Sequence, residues 1–330
     1  MRALITGGAG FVGSHLAEAL LERGYRVTII DDLSTGRFGN IEHLIGHSHF
    51  RFVIDSITNE IVLDRITSES NVIFHLAAAV GVKLIVDDPV RTIETNIMGT
   101  ESVLKTALRY RAKVLLASTS EVYGKGNRIP FGEEDDVVLG PTSRSRWAYA
   151  ASKMVDEFLG FAYFRQYGLP VVPFRLFNTV GPRQTGRYGM VIPRFVRQAL
   201  KGVPITIYGD GNQRRCFCDV RDVVPAIIGL AEHTDAPGRL FNIGGTEEIT
   251  IRRLAERVKQ LCRSNSELVY IPYDQVYNHG FEDMERRLPD IRRVQELLGW
   301  KPTRRLDETL EAVIAEKSGT LSPGAPVEEH

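Results

Sequence analysis

Residues 2–13 read Arg-Ala-Leu-Ile-Thr-Gly-Gly-Ala-Gly-Phe-Val-Gly, and this stretch decides the fold. Residues 2–6 predict a short buried strand, the glycines that follow predict a tight turn, and residues 11–23 predict an amphipathic helix. Gly8, Gly10 and Gly13 have the spacing that brings the pyrophosphate of a dinucleotide against the N-terminus of such a helix. The stretch therefore predicts a Rossmann-type domain.

A second predicted strand, over residues 26–30, ends at Asp31, about 20 residues after the glycines. A carboxylate at this position would accept hydrogen bonds from both hydroxyls of the adenosine ribose, and it would repel the 2′-phosphate of NADP. Asp31 therefore favours NAD as the cofactor. The other residues that we expect to contact NAD in this region are Gly7, Gly10, Phe11, Val12 and Asp32.

The sequence Tyr149-Ala-Ala-Ser-Lys153 places a phenol and an ammonium on one face of a predicted helix. The positive charge of Lys153 would lower the pKa of Tyr149 from its usual value of about 10, which would make Tyr149 a usable base near neutral pH. The pair alone is weak support, because this spacing also arises by chance. Together with the glycine stretch it predicts a redox active site.

The composition is that of a soluble globular enzyme. Lysine and arginine number 41 and aspartate and glutamate number 41, so the formal net charge is zero, and no nucleic-acid surface is indicated. No apolar run approaches the roughly 20 residues of a membrane span. The first strand begins at residue 2, so we expect no signal peptide and a cytoplasmic location. Cys216, Cys218 and Cys262 form no disulfide or metal pattern, and no metal site is expected.

Predicted strands and helices alternate along the first half of the chain. Strands are expected at about residues 51–54, 72–75, 113–118 and 171–174, and helices at 60–67, 89–109 and 147–167. This alternation predicts an α/β fold with a Rossmann-type doubly wound parallel sheet. After Asn178 the pattern loosens into a helix over 191–201, a strand over 205–208, a helix from Asp219, a strand over 240–242 and two C-terminal helices.

These patterns predict two interleaved domains. Residues 1–178 would form the NAD-binding Rossmann domain, to which about 212–242 also contribute, because the helix from Asp219 has the pattern of a helix of the main sheet. Residues 179–211 and 243–317 would form a smaller C-terminal α/β substrate-binding lobe. Residues 318–330 are expected to be a disordered tail.

These motifs resemble those of the extended short-chain dehydrogenase/reductase family, which comprises NAD-dependent nucleotide-sugar epimerases, dehydratases and decarboxylases. The resemblance covers about residues 1–314. It implies a catalytic set of Thr119, Tyr149 and Lys153, in which Ser120 is an alternative to Thr119, and Tyr149 and Lys153 also contact NAD. The further cofactor residues that it implies are Asp55, Ser56 and Ile57 at the adenine, and Leu76, Ala77, Ala78 and Asn96 beside the active-site helix.

The resemblance also implies a UDP-sugar as substrate. A diphosphate needs guanidinium groups, and Arg214, Arg215, Arg286 and Arg287 are candidates, of which the resemblance favours Arg215 and Arg287. Tyr208 would stack on the uracil ring or serve as a strand aromatic, and Arg187 would pair with a substrate carboxylate or lie in solvent. The expected substrate-binding residues are Ser120, Arg146, Asn178, Arg187, Tyr208, Arg215 and Arg287.

Glu121 bears on which reaction follows. All these enzymes can begin when Tyr149 removes the C4 hydroxyl proton and hydride leaves C4 for NAD. Residues 118–124, Ser-Thr-Ser-Glu-Val-Tyr-Gly, are similar to the segment of UDP-glucuronate decarboxylases whose acidic residue lies near C5. Desolvation should then raise the pKa of Glu121 and leave an acid that delivers a proton to C5. The favoured reaction is therefore decarboxylation of UDP-glucuronate to a UDP-4-keto-pentose or UDP-xylose.

Other stretches resemble epimerases. Residues 77–82, Ala-Ala-Ala-Val-Gly-Val, and the helix with Tyr-Ala-Ala-Ser-Lys are closer to epimerase sequences than to those of many decarboxylases. A 4-epimerase of UDP-glucose or UDP-glucuronate therefore stays open, in which Glu121 only supports the site. A 4,6-dehydratase and a non-catalytic NAD-binding protein are weaker alternatives. The resemblance also implies a homodimer through a four-helix interface formed by the helices at 89–109 and 147–167.

Overall fold

The computed structural model describes residues 1–81, 88–186, 190–276, 284 and 286–320. Its main sheet contains the strands β1 (Arg2–Thr6), β2 (Arg26–Asp31), β3 (Phe50–Ile54), β4 (Val72–His75), β5 (Lys113–Thr119), β6 (Val171–Phe177) and β11 (Phe241–Gly244). The seven strands are parallel and follow the order β11-β6-β5-β4-β1-β2-β3. The chain runs outward from β1 to β3 and then returns to β4 on the other side. This is the doubly wound order, and it confirms the predicted α/β fold.

Helices cover both faces of this sheet. The helices are α1 (Phe11–Glu22), α2 (Glu60–Ser68), α3 (Pro89–Tyr110), α4 (Ala148–Tyr167) and α6 (Val220–Glu232). Ile5 of β1 packs in one core with α1 and α6, whereas the preceding Leu4 packs in a second core with α2, α3 and α4. Successive strand residues therefore supply opposite faces. No helix in the described part of the chain is both long and apolar enough to cross a membrane.

A smaller set of strands and helices follows β6. Its strands are β7 (Thr179–Val180), β8 (Ile205–Tyr208), β9 (Arg214–Cys216), β10 (Cys218–Asp219), β12 (Glu248–Thr250), β13 (Leu268–Ile271) and β14 (Arg286–Arg287). β8 pairs with β13, β7 pairs with β10, and β9 lies between β12 and β14. The helices are α5 (Val191–Leu200), α7 (Ile251–Leu261), α8 (Tyr273–Val276), α9 (Arg292–Leu298) and α10 (Leu306–Thr320). A third apolar core joins α5, α7 and α10.

The second half of the chain departs from the prediction in three places. Two C-terminal helices were predicted, whereas the described residues after β11 form four, α7 to α10, of which α7 buries only Leu254, Ala255 and Val258 among charged residues. Helix α9 packs through Val294 into the core of the main sheet, although residues 243–317 were assigned to the lobe. Helix α10 extends through residues 318–320, which were assigned to the tail, and residues 321–330 lie outside the described residues. The other domain boundaries stay predictions.

Gly13 provides a test of the packing in the glycine turn. A Cβ atom at residue 13 would lie 2.3 Å from the Gly7 carbonyl oxygen and 2.8 Å from Gly8 Cα, and both are backbone atoms. Gly13→Ala should therefore displace the turn and lower the free energy of unfolding by about 1–3 kcal/mol, as measured by urea denaturation. Gly39→Ala is the control, because a Cβ there meets nothing within 4 Å. Equal stability of the two variants would contradict this packing.

Candidate active site

The glycine turn after β1 has the geometry of a phosphate site. Gly7 has a φ of 70°, and a Cβ atom there would lie 2.8 Å from the Ala77 amide nitrogen. Gly10 precedes α1 and has no side chain, so it does not cap the helix. Nothing at this position therefore competes with an anion for the first amide groups of α1, which include those of Phe11 and Val12. The turn fits the pyrophosphate of the predicted dinucleotide.

Asp31 is held beside the same turn. One carboxylate oxygen accepts a hydrogen bond from the Ala9 amide and the other accepts one from the Leu33 amide, both at 2.9 Å. Burial raises the pKa of Asp31, although these amides oppose the shift. Each oxygen has a second lone pair, so the carboxylate can also accept hydrogen bonds from ribose hydroxyls. Asp32 is exposed and accepts a hydrogen bond from the Ser34 amide, and its contact with the cofactor stays a prediction.

The segment predicted for the adenine lies next to Asp31. Asp55 follows β3, whose last residue pairs with Asp31 of β2, and its carboxylate accepts a hydrogen bond from the Ser56 amide at 2.7 Å. Ile57 is buried against α3, where a Cβ atom on Gly99 would lie 2.3 Å from the Ile57 side chain. The carboxyl ends of two neighbouring strands therefore bring both acids to one edge of the sheet, as a dinucleotide site requires.

Asn96 joins the predicted cofactor segment to the helix that carries Tyr149. Its Oδ1 accepts a hydrogen bond from the Ala79 amide at 2.8 Å, immediately after residues 76–78, and its Nδ2 donates to the Ser152 hydroxyl at 3.0 Å. Ser152 in turn donates to the Tyr149 carbonyl oxygen at 2.8 Å. Asn96 is 1% exposed. Its amide therefore braces the position of α4 against the end of β4.

The predicted catalytic residues lie on α4 and at the end of β5. Tyr149 and Lys153 are one turn apart on α4 and are 7% and 2% exposed. Lys153 Nζ donates to Asp156 Oδ2 at 2.8 Å. The Thr119 hydroxyl accepts a hydrogen bond from the Glu121 amide at 3.2 Å and starts a turn of 3₁₀ helix that packs on α4. The end of β5 and the first turns of α4 therefore meet at one place.

A buried ion pair lies behind this set. Arg175 of β6 donates to both carboxylate oxygens of Glu157, at 2.9 and 2.7 Å, and the Ser118 hydroxyl donates to the same carboxylate. The guanidinium carbon of Arg175 lies 4.4 Å from the centroid of the Tyr123 ring. The Tyr123 hydroxyl donates to Asn242 Oδ1 at 2.8 Å. The network connects the end of β5 with α4, β6 and β11.

Two buried arginines meet beside Glu121. β9 and β14 are parallel neighbours with Arg215 opposite Arg287, and both side chains are 7% exposed. Arg287 Nη1 lies 3.4 Å from Glu121 Oε1. The preceding residue of β14, Arg286, instead forms a bidentate ion pair with Glu248 of β12 at 2.6 and 2.5 Å. The two arginines favoured by the sequence are therefore the buried ones among the four candidates, and their binding of the diphosphate stays a prediction.

The remaining predicted substrate residues differ in their contacts and burial, and the side chains of two of them are not described by the structure. Asn178 has a φ of 37°, and its side-chain amide donates to the Cys216 carbonyl oxygen at 2.9 Å, which anchors β9. The guanidinium carbon of Arg194 lies 3.8 Å from the centroid of the Tyr208 ring, so one face of that ring is already covered. Ser120 is buried. Two predicted contacts, Arg187 and the side chain of Arg146, lie outside the described residues. The substrate roles of these residues stay predictions.

Sequence reasoning missed Asp156 and Glu157. They follow Lys153 on α4 by three and four residues, and both are nearly inaccessible to solvent. A signal was present in the sequence, since a helix that buries a lysine needs a carboxylate within reach, and residues three or four positions away lie on the same side. No such signal pointed to Arg175, the partner of Glu157, because Arg175 lies on strand β6 and not on α4.

The fold and the site define an enzyme of the extended short-chain dehydrogenase/reductase class. The family model described as GDP-mannose 4,6 dehydratase matches residues 4–313, and the chain belongs to this family. It is 43% identical over 314 residues to UDP-N-acetyl-alpha-D-glucosaminuronate decarboxylase of Bacillus cytotoxicus, covering 95% of this chain and 96% of the relative. It is 39% identical over 314 residues to UDP-glucuronic acid decarboxylase 1 of Danio rerio, covering 95% and 72%.

A solved structure extends the comparison to the cofactor. The UDP-glucuronic acid 4-epimerase of Bacillus cereus, in complex with UDP-glucuronic acid and NAD, matches with a TM-score of 0.87 and 29% identity, over 97% of this chain and 99% of its own. The predicted class of NAD-dependent nucleotide-sugar enzyme is confirmed by these similarities. The relatives include both decarboxylases and 4-epimerases, which are the two reactions that the sequence left open.

The buried pair of Glu157 and Arg175 makes a stability prediction. Arg175→Met should lower the free energy of unfolding by about 3–5 kcal/mol, because it leaves Glu157 buried without a counter-ion. The double variant with Glu157→Gln should recover much of this loss, as measured by urea denaturation. Arg257→Met is the control. The Arg257 side chain, which pairs with Asp307, is 43% exposed, so this substitution should lower the free energy of unfolding by less than about 1 kcal/mol. Similar losses for the two single variants would be inconsistent with a dominant buried pair.

Proposed function

We propose that this protein uses NAD to decarboxylate a UDP-hexuronate through a 4-keto sugar. The observation that carries the proposal is the contact of 3.4 Å between Glu121 and Arg287 in the protein interior. Glu121 lies two residues after Thr119 in the sequence. A guanidinium at this place can bind the sugar carboxylate, and the acid can handle a proton at the neighbouring carbon. The two decarboxylase relatives act on UDP-glucuronate and on its 2-acetamido counterpart, so the proposal includes both sugars.

Each step assigns a task to a side chain. Tyr149, as a phenolate that the Lys153 ammonium stabilises, accepts the proton of the C4 hydroxyl, and Thr119 orients the sugar hydroxyl. NAD would be held by the glycine turn and Asp31, and it would supply the acceptor for the C4 hydride. The ketone at C4 is then β to the carboxylate on C5, so the bond from C5 to the carboxylate breaks, carbon dioxide leaves, and the electron pair moves to the ketone oxygen. Protonation at C5, return of hydride to C4 and return of the proton from Tyr149 to the C4 oxygen complete the pentose.

Glu121 is the proposed proton donor to C5, in partnership with Arg287. In the free protein the carboxylate of Glu121 lies 3.4 Å from the Arg287 guanidinium. A uronate carboxylate would compete for the same guanidinium. Binding of the substrate would then leave Glu121 beside a negative charge, a position that favours uptake of a proton. Arg215 remains the proposed ligand of the diphosphate.

The second candidate is 4-epimerisation. It is favoured by the 29% identity to a UDP-glucuronic acid 4-epimerase over nearly the full chain, and by the epimerase-like residues 77–82. It needs only the oxidation and the return of hydride on the opposite face of the sugar, with no role for an acid near C5.

The two reactions differ in the mass of the product. The purified protein would be incubated with NAD and with UDP-glucuronate or UDP-N-acetylglucosaminuronate, and carbon dioxide and nucleotide sugars would be measured. We expect release of carbon dioxide and a UDP-pentose or its 4-keto form. An unchanged mass with inverted C4 would assign the epimerase reaction instead. Turnover of UDP-glucose but not of either uronate would also reject decarboxylation.

Glu121→Gln should separate oxidation from formation of the pentose. The variant should still form NADH from bound NAD, seen by its absorbance, whereas steady-state formation of the pentose should fall about 10²–10⁴-fold, since the proton donor to C5 has been removed. Tyr149→Phe is the matched control, because it should prevent NADH formation as well. Unchanged turnover in Glu121→Gln would remove this residue from the mechanism.

We also infer that two copies associate through α3 and α4. These helices pack against each other, and they expose Val90, Ile93, Met98 and Phe158 at 64, 39, 55 and 68%. Exposed apolar side chains on one surface are a common sign of a binding face. A second copy with the same surface would cover them in a symmetric four-helix arrangement. The cytoplasmic location stays a prediction.

Phe158→Asp should convert the protein from a dimer to a monomer, because it places a charge in the proposed apolar interface. The molar mass would be measured by light scattering after size-exclusion chromatography. Val203→Asp introduces the same charge at a residue that is 44% exposed in the loop after α5, and it should leave the mass unchanged. A wild-type protein that is monomeric, or a Phe158→Asp variant that stays dimeric, would refute this interface.

A further inference from the structure

A row of buried polar groups runs from the predicted cofactor segment towards Lys153. The Ala77 amide donates to Thr6 Oγ1 at 3.2 Å, and Thr6 Oγ1 lies 2.8 Å from His75 Nδ1. The other ring nitrogen of His75 lies 3.0 Å from Thr100 Oγ1. Thr6, His75 and Thr100 are at most 1% exposed. The row crosses from β1 to β4 and then to α3, where it reaches α4.

Asp156 is the charged end of this row. Its carboxylate has no exposed surface, accepts a hydrogen bond from the Lys153 ammonium at 2.8 Å, and is faced by the Thr100 hydroxyl. Burial raises the pKa of Asp156, while the Lys153 ammonium and the Thr100 hydroxyl oppose the shift. Removing one charge of such a pair leaves the other buried without compensation. Lys153 therefore depends on Asp156 for its position.

The other titratable groups near this pair are balanced or neutral. Glu157, the next residue on α4, also faces Asp156, but Arg175 of β6 lies 2.7 Å from it and balances its charge. From β4, His75 is uncharged, because burial and the Lys153 ammonium lower its pKa to about 3. The described neighbours therefore leave the ammonium of Lys153 as the charge that Asp156 balances.

We propose that Asp156 is a positioning residue, which keeps the buried Lys153 ammonium charged and in place beside Tyr149. The ammonium stabilises the phenolate of Tyr149 only while it is charged and nearby, so loss of Asp156 should weaken that stabilisation. A phenol that is rarely ionised at neutral pH is an inactive base. The inference rests on the proposed function only in taking Tyr149 as the base.

The test is a titration of Tyr149 itself. The ultraviolet absorbance of phenolate would be recorded against pH for the NAD-bound protein and for its Tyr149→Phe variant, and the difference isolates this residue. The same pair would be measured in the Asp156→Asn background. Loss of the negative charge should raise the midpoint by about one pH unit, because Lys153 then loses its position or its charge. The acidic limb of the kcat profile should move to higher pH by the same amount, because the base becomes ionised only at higher pH.

Three further variants make the outcome decisive. Asp156→Glu keeps the charge, so its midpoint should stay near that of the wild type. Asp156→Ser keeps an oxygen but loses the charge, so its midpoint should shift like that of Asp156→Asn. The Ser variant also provides the measurement if Asp156→Asn folds poorly. Glu256→Gln removes an exposed carboxylate of α7 and should have no effect. An unchanged or lowered midpoint in a folded Asn or Ser variant would overturn the proposal. Since the titration needs no sugar, this result is independent of which sugar reaction takes place.

Discussion

Burial of the Lys153 ammonium is the constraint on which the active site depends. A lysine that is 2% exposed keeps its charge only with a partner, and Asp156 supplies that partner from the same helix. The following residue, Glu157, meets Arg175 of the central sheet. Two consecutive acids on α4 thus satisfy two cations that approach from different sides. Together they fix the rotation of α4 about its axis, and with it the direction in which Tyr149 points.

The parallel sheet determines which other residues lie near α4 in the site. The glycine turn follows β1, Asp31 ends β2, residues 76–79 follow β4 and Thr119 ends β5, so all of them lie at the carboxyl edge of the sheet. The strand order reverses between β1 and β4, which is where an open α/β sheet forms its ligand crevice. The short strands β9 and β14 pair beside this edge, and Arg287 of β14 contacts Glu121, which lies two residues after the end of β5.

The sequence was informative where elements are long or periodic. The predicted strands over residues 2–6 and 72–75 agree with β1 and β4, because strands buried on both faces are continuous apolar runs between helices. Strands of two or three residues, such as β9 and β14, carry no such pattern. The contact between Glu121 and Arg287 joins residues 166 positions apart and depends on the pairing of β14 with β9. No local rule predicts a contact of that kind. The pair of Lys153 and Asp156, in contrast, could have been predicted from their spacing of three residues on one helix.

Charge balance in the site also distinguishes the two proposed reactions. In the free protein Glu121 and Arg287 neutralise each other. A bound uronate would take the guanidinium, and loss of carbon dioxide would remove the competing carboxylate, so the original pair could form again as the product leaves. An epimerase acting on the same sugar retains the carboxylate in every bound state, and Glu121 would then face a like charge throughout the cycle. An ion pair between Glu121 and Arg287 that opens when the uronate binds and forms again on the product therefore fits decarboxylation, in which the bound carboxylate leaves as carbon dioxide.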